Sequence, residues 1–168
     1  NLRNASSGGF LAKPEDFFTN EEAKRLYKQK MRYILARWGW DPTILGFEII
    51  SELDLTGSRH GFAGRRPGAD GGDAPLRTDH LWHREMITYF RTMDLTHLFT
   101  THYSGNYATV DPVMARMKEI DYVVGDGYRG DDAPFAHLAV ATGQNHSRFG
   151  KPFMITEYGG NWNGTSEA

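Results

Sequence analysis

The sequence predicts an α/β fold of parallel strands alternating with helices, on three observations. Short apolar runs of strand length alternate with longer stretches whose apolar residues recur at helical spacing. The order along the chain is α-β-α-β-α-β-α-β, which means parallel strands joined by right-handed crossovers. Two of the apolar runs, Thr43–Glu52 and Lys151–Glu157, end in a glutamate just where the chain turns into a loop. In parallel α/β proteins that end of the strands is where chemistry is done. Four such units suit a (β/α) barrel or an open doubly wound sheet. No G-x-G-x-x-G or G-x-x-x-x-G-K-S/T follows any strand, so nucleotide-binding forms of the open sheet lose support.

Taken in order, residues 1–18 lack periodicity, contain Ser6-Ser7-Gly8-Gly9 and Pro14, and read as a loop. Thr19, three residues before Glu22, has the capping-box pattern and opens a helix to about Trp38. Its inward face carries Ala23, Leu26, Tyr27, Met31, Ile34, Leu35 and Trp38. Gly39 stops it, Asp41-Pro42 turns the chain, and a first strand runs over about 43–51. Residues 53–77 are a long Gly- and Pro-containing loop, of the kind that is functional or mobile in compact domains. A second helix over about 78–93 turns Trp82, Met86, Tyr89, Phe90 and Met93 inward. A second strand follows at 97–103, a short helix near 111–118 and a third strand at 120–126. A helix near 133–148 and a fourth strand at about 152–156 complete the order.

Composition limits the function classes. The chain has 168 residues, 39% hydrophobic and 24% charged, enough for one globular domain with a core. A net charge of −2 gives no electrostatic case for nucleic acid or an anionic membrane as partner. There is no cysteine, which excludes disulfide scaffolds, thiolate zinc sites and cysteine nucleophiles. No apolar run approaches a membrane span and no signal peptide is visible, although a chain beginning at Asn1 leaves room for a leader removed upstream.

The two glutamate motifs resemble those of clan A retaining glycoside hydrolases, the (β/α)8-barrel (TIM barrel) cellulase and mannanase type. That clan places its acid/base glutamate after strand 4 in a W-E-x-x-N-E run, matched here by Phe47-Glu48-Ile49-Ile50-Ser51-Glu52. Its nucleophile ends strand 7 in runs like K-P-x-x-x-x-E-x-G, matched by Lys151 through Gly159. Its strand 6 often reads D-F-V-x-x-H-x-Y, and Asp121-Tyr122-Val123-Val124-Gly125-Asp126-Gly127-Tyr128 stands in that place. The resemblance implies that residues 1–168 are a partial catalytic domain, strands 4 to 7 of a barrel, with the remaining strands absent. It implies Glu52 as acid/base, Glu157 as nucleophile and Tyr128 as the nucleophile's hydrogen-bond donor. It also favours a secreted or periplasmic location. Ser51 stands where the clan has the asparagine that contacts the sugar 2-hydroxyl, and Asp126 where it has a histidine.

The expected activity is cleavage of β-glycosidic bonds in a polysaccharide or oligosaccharide by double displacement, with no cofactor and no metal. The alternative is a carbohydrate-binding homologue without turnover, to which Ser51 and Asp126 give some force. A third possibility, an α/β hydrolase of another kind, lacks a G-x-S-x-G elbow. A single strand-end glutamate is more often a plain cap. Two on separate strands in matching contexts point to catalysis. Glu48, four residues before Glu52, is the rival acid and is read as a buried interior carboxylate. His102 and Tyr103 at the end of the second strand, with Trp162 after the nucleophile loop, are further candidates for contact with sugar. Trp38, Trp40 and Trp82 are assigned to the core. His80, His83 and Glu85 lack metalloprotease spacing and are assigned to a solvated helix surface.

Overall fold

The computed structural model describes residues 3–53, 56, 77–101, 111–128 and 136–159. The elements follow the expected order: α1 (Glu21–Trp38), β1 (Gly46–Glu48), α2 (Thr78–Phe90), β2 (Leu98–Thr100), α3 (Pro112–Arg116), β3 (Val123–Tyr128), α4 (Ala136–Phe149) and β4 (Phe153–Gly159). β1 pairs with β2 and β3 with β4, both in parallel. Between the two pairs, the Asp121 N–H donates to the Phe99 carbonyl at 3.0 Å, and Thr100 Oγ1 donates to the Tyr122 carbonyl at 2.6 Å. The four strands therefore lie side by side in chain order, as consecutive βα units do. Gly46 is needed where it stands, because a Cβ there would fall 2.5 Å from the Leu98 carbonyl oxygen across the β1–β2 ladder.

The main core lies between the strands and the first two helices. Phe17, Phe18, Tyr27 and Trp82 meet edge-on or tilted at 4.9–5.8 Å between ring centroids, and Phe90 continues the stack to Phe99 at 5.7 Å. Such ring pairs add to the burial of their large apolar surface. Phe17 and Phe18 belong to residues expected to be loop. They sit on a 3₁₀ turn, Pro14–Phe18, whose entry is fixed by the Lys13 N–H donating to Asp16 Oδ2 at 2.9 Å. A single 3₁₀ turn is too short to leave a periodic signal. Leu11 is buried in the same core.

Three local expectations shift. The α1 N-cap is Asn20, whose Oδ1 accepts from the Ala23 N–H at 3.0 Å, and Thr19 lies one residue outside it. Asn20 can do this because its side-chain oxygen serves an N–H that has no partner within the helix. Trp38 and Trp40, assigned to the core, are 46% and 76% exposed. The α1 helix ends at Trp38 and the following turn lifts Trp40 clear, with its Nε1 donating to the Arg37 carbonyl at 2.8 Å. Met93 is also exposed, because α2 stops at Phe90 and the inward spacing does not continue.

The N-terminal ends of the strands are tied by charge. Arg91, just past α2, pairs with Asp121 and donates to the His97 carbonyl at 2.6 Å, while its guanidinium lies 4.6 Å from the Phe99 ring centroid. Asp121 also accepts the Phe99 N–H at 2.7 Å. Lys151, ahead of β4, donates to the Met117 and Ile120 carbonyls, each at 2.6 Å. If Asn20 is the cap, Asn20→Ala lowers the unfolding free energy by about 1 kcal/mol. Thr19→Ala changes it by less than about 0.5 kcal/mol. Urea unfolding midpoints of the two variants check the assignment.

Candidate active site

The strand β1 stops at Glu48, and the next four residues carry the chain out of the sheet to Glu52. Glu52 has φ 47°, the single positive value at a non-glycine among the described residues. For an L-residue that conformation costs ~1–2 kcal/mol, so its surroundings must hold it. On the strand side the Ile49 N–H donates to the Thr100 carbonyl at 2.9 Å. Tyr27 Oη donates to the Ile49 carbonyl at 2.5 Å, and Thr101 Oγ1 donates to the Ile50 carbonyl at 2.8 Å. Burial pushes the Tyr27 phenol well above its ordinary value, which keeps its proton available for that bond. On the far side Leu53 is fully buried in the core. Glu52 itself is half-buried and Ser51 is exposed.

Glu157 lies within β4, three residues from its end if Gly159 is counted, and is half-buried. The β3–β4 register is irregular just before it. Gly125 pairs with Ile155, but Asp126 pairs with Glu157, so Thr156 is an extra residue in β4. Successive positions of a strand face opposite sides, and paired positions share a side. The extra residue shifts the pairing by one, so that Glu157 rather than Thr156 stands opposite Asp126, while Phe153, Ile155 and Glu157 alternate as half-buried positions with exposed Met154, Thr156 and Tyr158. Phe153, on the Ile155 side, packs against Ala115 and Val123.

These placements bring Asp126 and Glu157 to paired positions on neighbouring strands, with Tyr128 beside Gly159 farther along. The side chains of Asp126 and Tyr128 lie outside the described residues, as do His102, Tyr103 and Trp162 entirely. Glu48 is exposed at the end of β1 rather than buried inside. Because the strand ends there, strand alternation does not relate Glu48 to Glu52.

A cluster that the sequence reading placed in solvent is buried. His80 and His83 are both fully buried on α2. His80 Nδ1 accepts the Arg77 N–H at 3.1 Å, which leaves Nε2 as the protonated nitrogen, 3.1 Å from Asp111 Oδ2. The Arg77 guanidinium reaches Asp79 at 3.0 Å and Asp111 at 2.6 Å. Asp111 Oδ1 caps α3 through the Val113 and Met114 N–H groups. Burial alone would raise the Asp111 carboxyl. The His80 hydrogen bond and the Arg77 charge outweigh it and hold the group well below the usual carboxylate range. Donor atoms of Asp79, His80 and Asp111 lie within 4.8 Å of one another, close enough for a metal ion. The cation at this spot is Arg77, so the set reads as a structural tie between the N-termini of α2 and α3. His83 is held differently: Nδ1 is 2.6 Å from the Asp79 carbonyl, Nε2 has no hydrogen-bond partner among the described residues, and burial pushes its pKa down to about 4. Glu85 is not a ligand either; it bridges Lys24 at 2.9 Å and Lys28 at 2.7 Å between the two helices. The missed signal was Trp82, whose burial carries its helix neighbours toward the core.

No protein-family model matches the chain. Among curated proteins it is 23% identical over 149 residues to mannan endo-1,4-beta-mannosidase 3 of Arabidopsis thaliana, covering 79% of this chain and 32% of that protein. It is 31% identical over 112 residues to mannan endo-1,4-beta-mannosidase 4 of Solanum lycopersicum, covering 60% of this chain and 23% of that protein. The chain thus spans about a third or less of the length of these relatives. Among solved structures it superposes on the endo-1,4-beta-mannanase from Rhizomucor miehei with a TM-score of 0.55 at 21% identity, over 86% of this chain and 46% of that one. A beta-glucuronidase from an uncultured Clostridium sp. gives a TM-score of 0.51 at 16% identity, over 83% of this chain and 22% of that one. These likenesses bear out the fold, part of a (β/α)8 barrel, and the resemblance to clan A glycoside hydrolases.

Glu52→Gly removes the left-handed strain and raises the unfolding free energy by about 1 kcal/mol, whereas Glu48→Gly, in a strand, lowers it by about 0.5–1 kcal/mol; chemical denaturation separates the two. Acid destabilises through both shifted groups. The depressed Asp111 carboxyl contributes stability that is complete above its unfolded value of 3.8 and is lost as pH falls through its folded value. His83 takes a proton in the unfolded chain from pH 6.5 but in the fold only near pH 4, so stability falls as pH drops through that window. The loss amounts to at most about 3 kcal/mol. Urea midpoints measured from pH 7 to pH 4 give the slope, and His83→Leu flattens it.

Proposed function

We propose that this chain supplies the catalytic half of a glycoside hydrolase that cleaves β-glycosidic bonds of a mannan-type polysaccharide with retention of configuration. The observation that carries the proposal is the shared placement of Glu52 and Glu157. Each stands at or beyond the C-terminal part of an outer strand in a parallel run of four, and each is set by an irregular backbone: the left-handed residue at 52 and the extra residue before 157. Regular strands do not need such departures, and they concentrate beside active sites. The relatives named as mannan endo-1,4-beta-mannosidases support the substrate class.

The geometry required is definite. Retention needs two carboxyl groups roughly 5–5.5 Å apart on opposite faces of the bond. Three strand intervals of ~4.8 Å put ~14 Å of sheet between the backbones of β1 and β4. Two glutamates reaching inward from either end of a curved, barrel-like arc close most of that gap. In the first step a Glu157 oxygen bonds to the anomeric carbon as the glycosidic C–O bond breaks, and Glu52 gives its proton to the departing oxygen. In the second step Glu52 takes a proton from water, whose oxygen displaces Glu157 from the sugar. The pairing of Asp126 with Glu157 in the β3–β4 register supports a role for Asp126 beside that carboxylate. Ser51, next to the acid, has a hydroxyl available for the sugar, where the clan's asparagine has an amide.

Ser51 also favours a second reading, a carbohydrate-binding homologue without turnover, because the shorter side chain forfeits a contact that tightens in the transition state. Aryl β-mannosides and mannan oligosaccharides decide between the two in the intact protein. The enzyme hydrolyses them, Glu157→Ala lowers kcat at least about a thousandfold, and azide partly restores turnover by bonding to the anomeric carbon in place of Glu157 as the leaving group departs, giving an α-glycosyl azide. Sugar binding with no turnover on any substrate supports the second reading. Activity indifferent to both Glu52→Ala and Glu157→Ala removes the assignment.

A further inference from the structure

We propose that Tyr27 and Thr101 are positioning residues for the carboxyl group of Glu52; the inference rests on the reading of Glu52 as the acid/base. β1 has ended at Glu48, so the Ile49 and Ile50 carbonyls are the last two before the chain bends away. Each is taken by a side-chain hydroxyl from a different element. Tyr27, on α1, donates to Ile49 at 2.5 Å, and Thr101, just past β2, donates to Ile50 at 2.8 Å. Both donors are 5% exposed, so water does not compete freely for these bonds. Leu53, buried at 0%, fixes the other side. Only Ser51 and Glu52 lie between the pins, and Glu52 holds the left-handed conformation there.

This arrangement assigns a separable role to each hydroxyl. Removing one frees the Ile50 or Ile49 peptide to rotate, and the left-handed turn relaxes with it. The Glu52 carboxyl then moves, while Glu157, held on β4 by its register with β3, does not. Loss of a well-placed general acid slows departure of a poor leaving group and hardly affects one that leaves without a proton. A merely structural role would slow both alike.

The test measures kcat/KM, which reports the first step, for Thr101→Val and Tyr27→Phe in the intact protein. One substrate carries a 2,4-dinitrophenyl leaving group and the other a sugar leaving group. We expect each variant to lose about 10- to 100-fold on the sugar leaving group and less than about threefold on the dinitrophenyl one. Thr101→Ser, which keeps the hydroxyl, restores the lost rate. Glu52→Ala serves as the reference and shows the same selectivity in stronger form. Equal losses on the two substrates, or none on either, in a protein where Glu52→Ala is selective, overturn the positioning role and leave the reaction intact. A Glu52→Ala variant without selectivity overturns the acid/base reading and the positioning role together. Unfolding midpoints taken alongside identify a variant that has lost its fold, and the Thr101→Ser comparison then decides.

Discussion

A parallel sheet runs out of ladder partners at the C-terminal ends of its strands, and the candidate site depends on what satisfies the carbonyls left there. Buried carbonyls need donors. Past the end of β1, among the described residues, two of these donors are hydroxyls: Tyr27 to Ile49 and Thr101 to Ile50. A hydroxyl on a buried side chain is neutral, rotates to suit its acceptor and adds no charge of its own beside the carboxylates. It closes the end of the sheet without filling the space in front of it.

The opposite ends of the strands are closed by different chemistry. Arg91 with Asp121, Lys151 on two carbonyls, and His97 with Asp94 at 2.7 Å make the N-terminal side a set of ionic ties. Charge is tolerated there because each group has more than one partner. One ionic cluster does lie among the helix N-termini, with Arg77, His80 and Asp111 joining α2 to α3. It is fully paired, and its net effect is to hold two helices that each begin a crossover on the side of the sheet where Glu52 lies. The division between a tied end and the end that carries the candidate site matches the general economy of parallel barrels.

Order and type of the long elements were legible in the sequence because helical and strand periodicities differ and the apolar faces of α1 and α2 are well marked. Tyr27, Met31, Trp82 and Phe90 are inward as their spacing requires. What was not legible arises from contacts between segments distant in sequence. The Phe17-Phe18 pair has no period of its own and becomes core only because Tyr27 and Trp82 lie over it. His80 and His83 look like surface residues until Arg77 and Asp111, the latter 31 residues beyond His80, supply their surroundings. The site was partly legible. Two strand-end glutamates stand out in the chain, but the turn at Glu52 and the extra residue at Thr156 carry no local signature. His102, Tyr103 and Trp162 lie in stretches outside the described residues, and their assignment stays an expectation.

The irregularity at Thr156 makes β4 a measuring rod. One end of the rod is pinned where Lys151 grips the Met117 and Ile120 carbonyls, and the other is set where Glu157 stands opposite position 126. Between those marks the number of residues matters more than their identity. Exposed Met154 and Thr156 are open to replacement during divergence, whereas a gain or loss of one residue between the marks changes how the strand must buckle to keep both. Relatives are therefore best aligned across this stretch by count from the lysine to the glutamate, even where every intervening letter has changed.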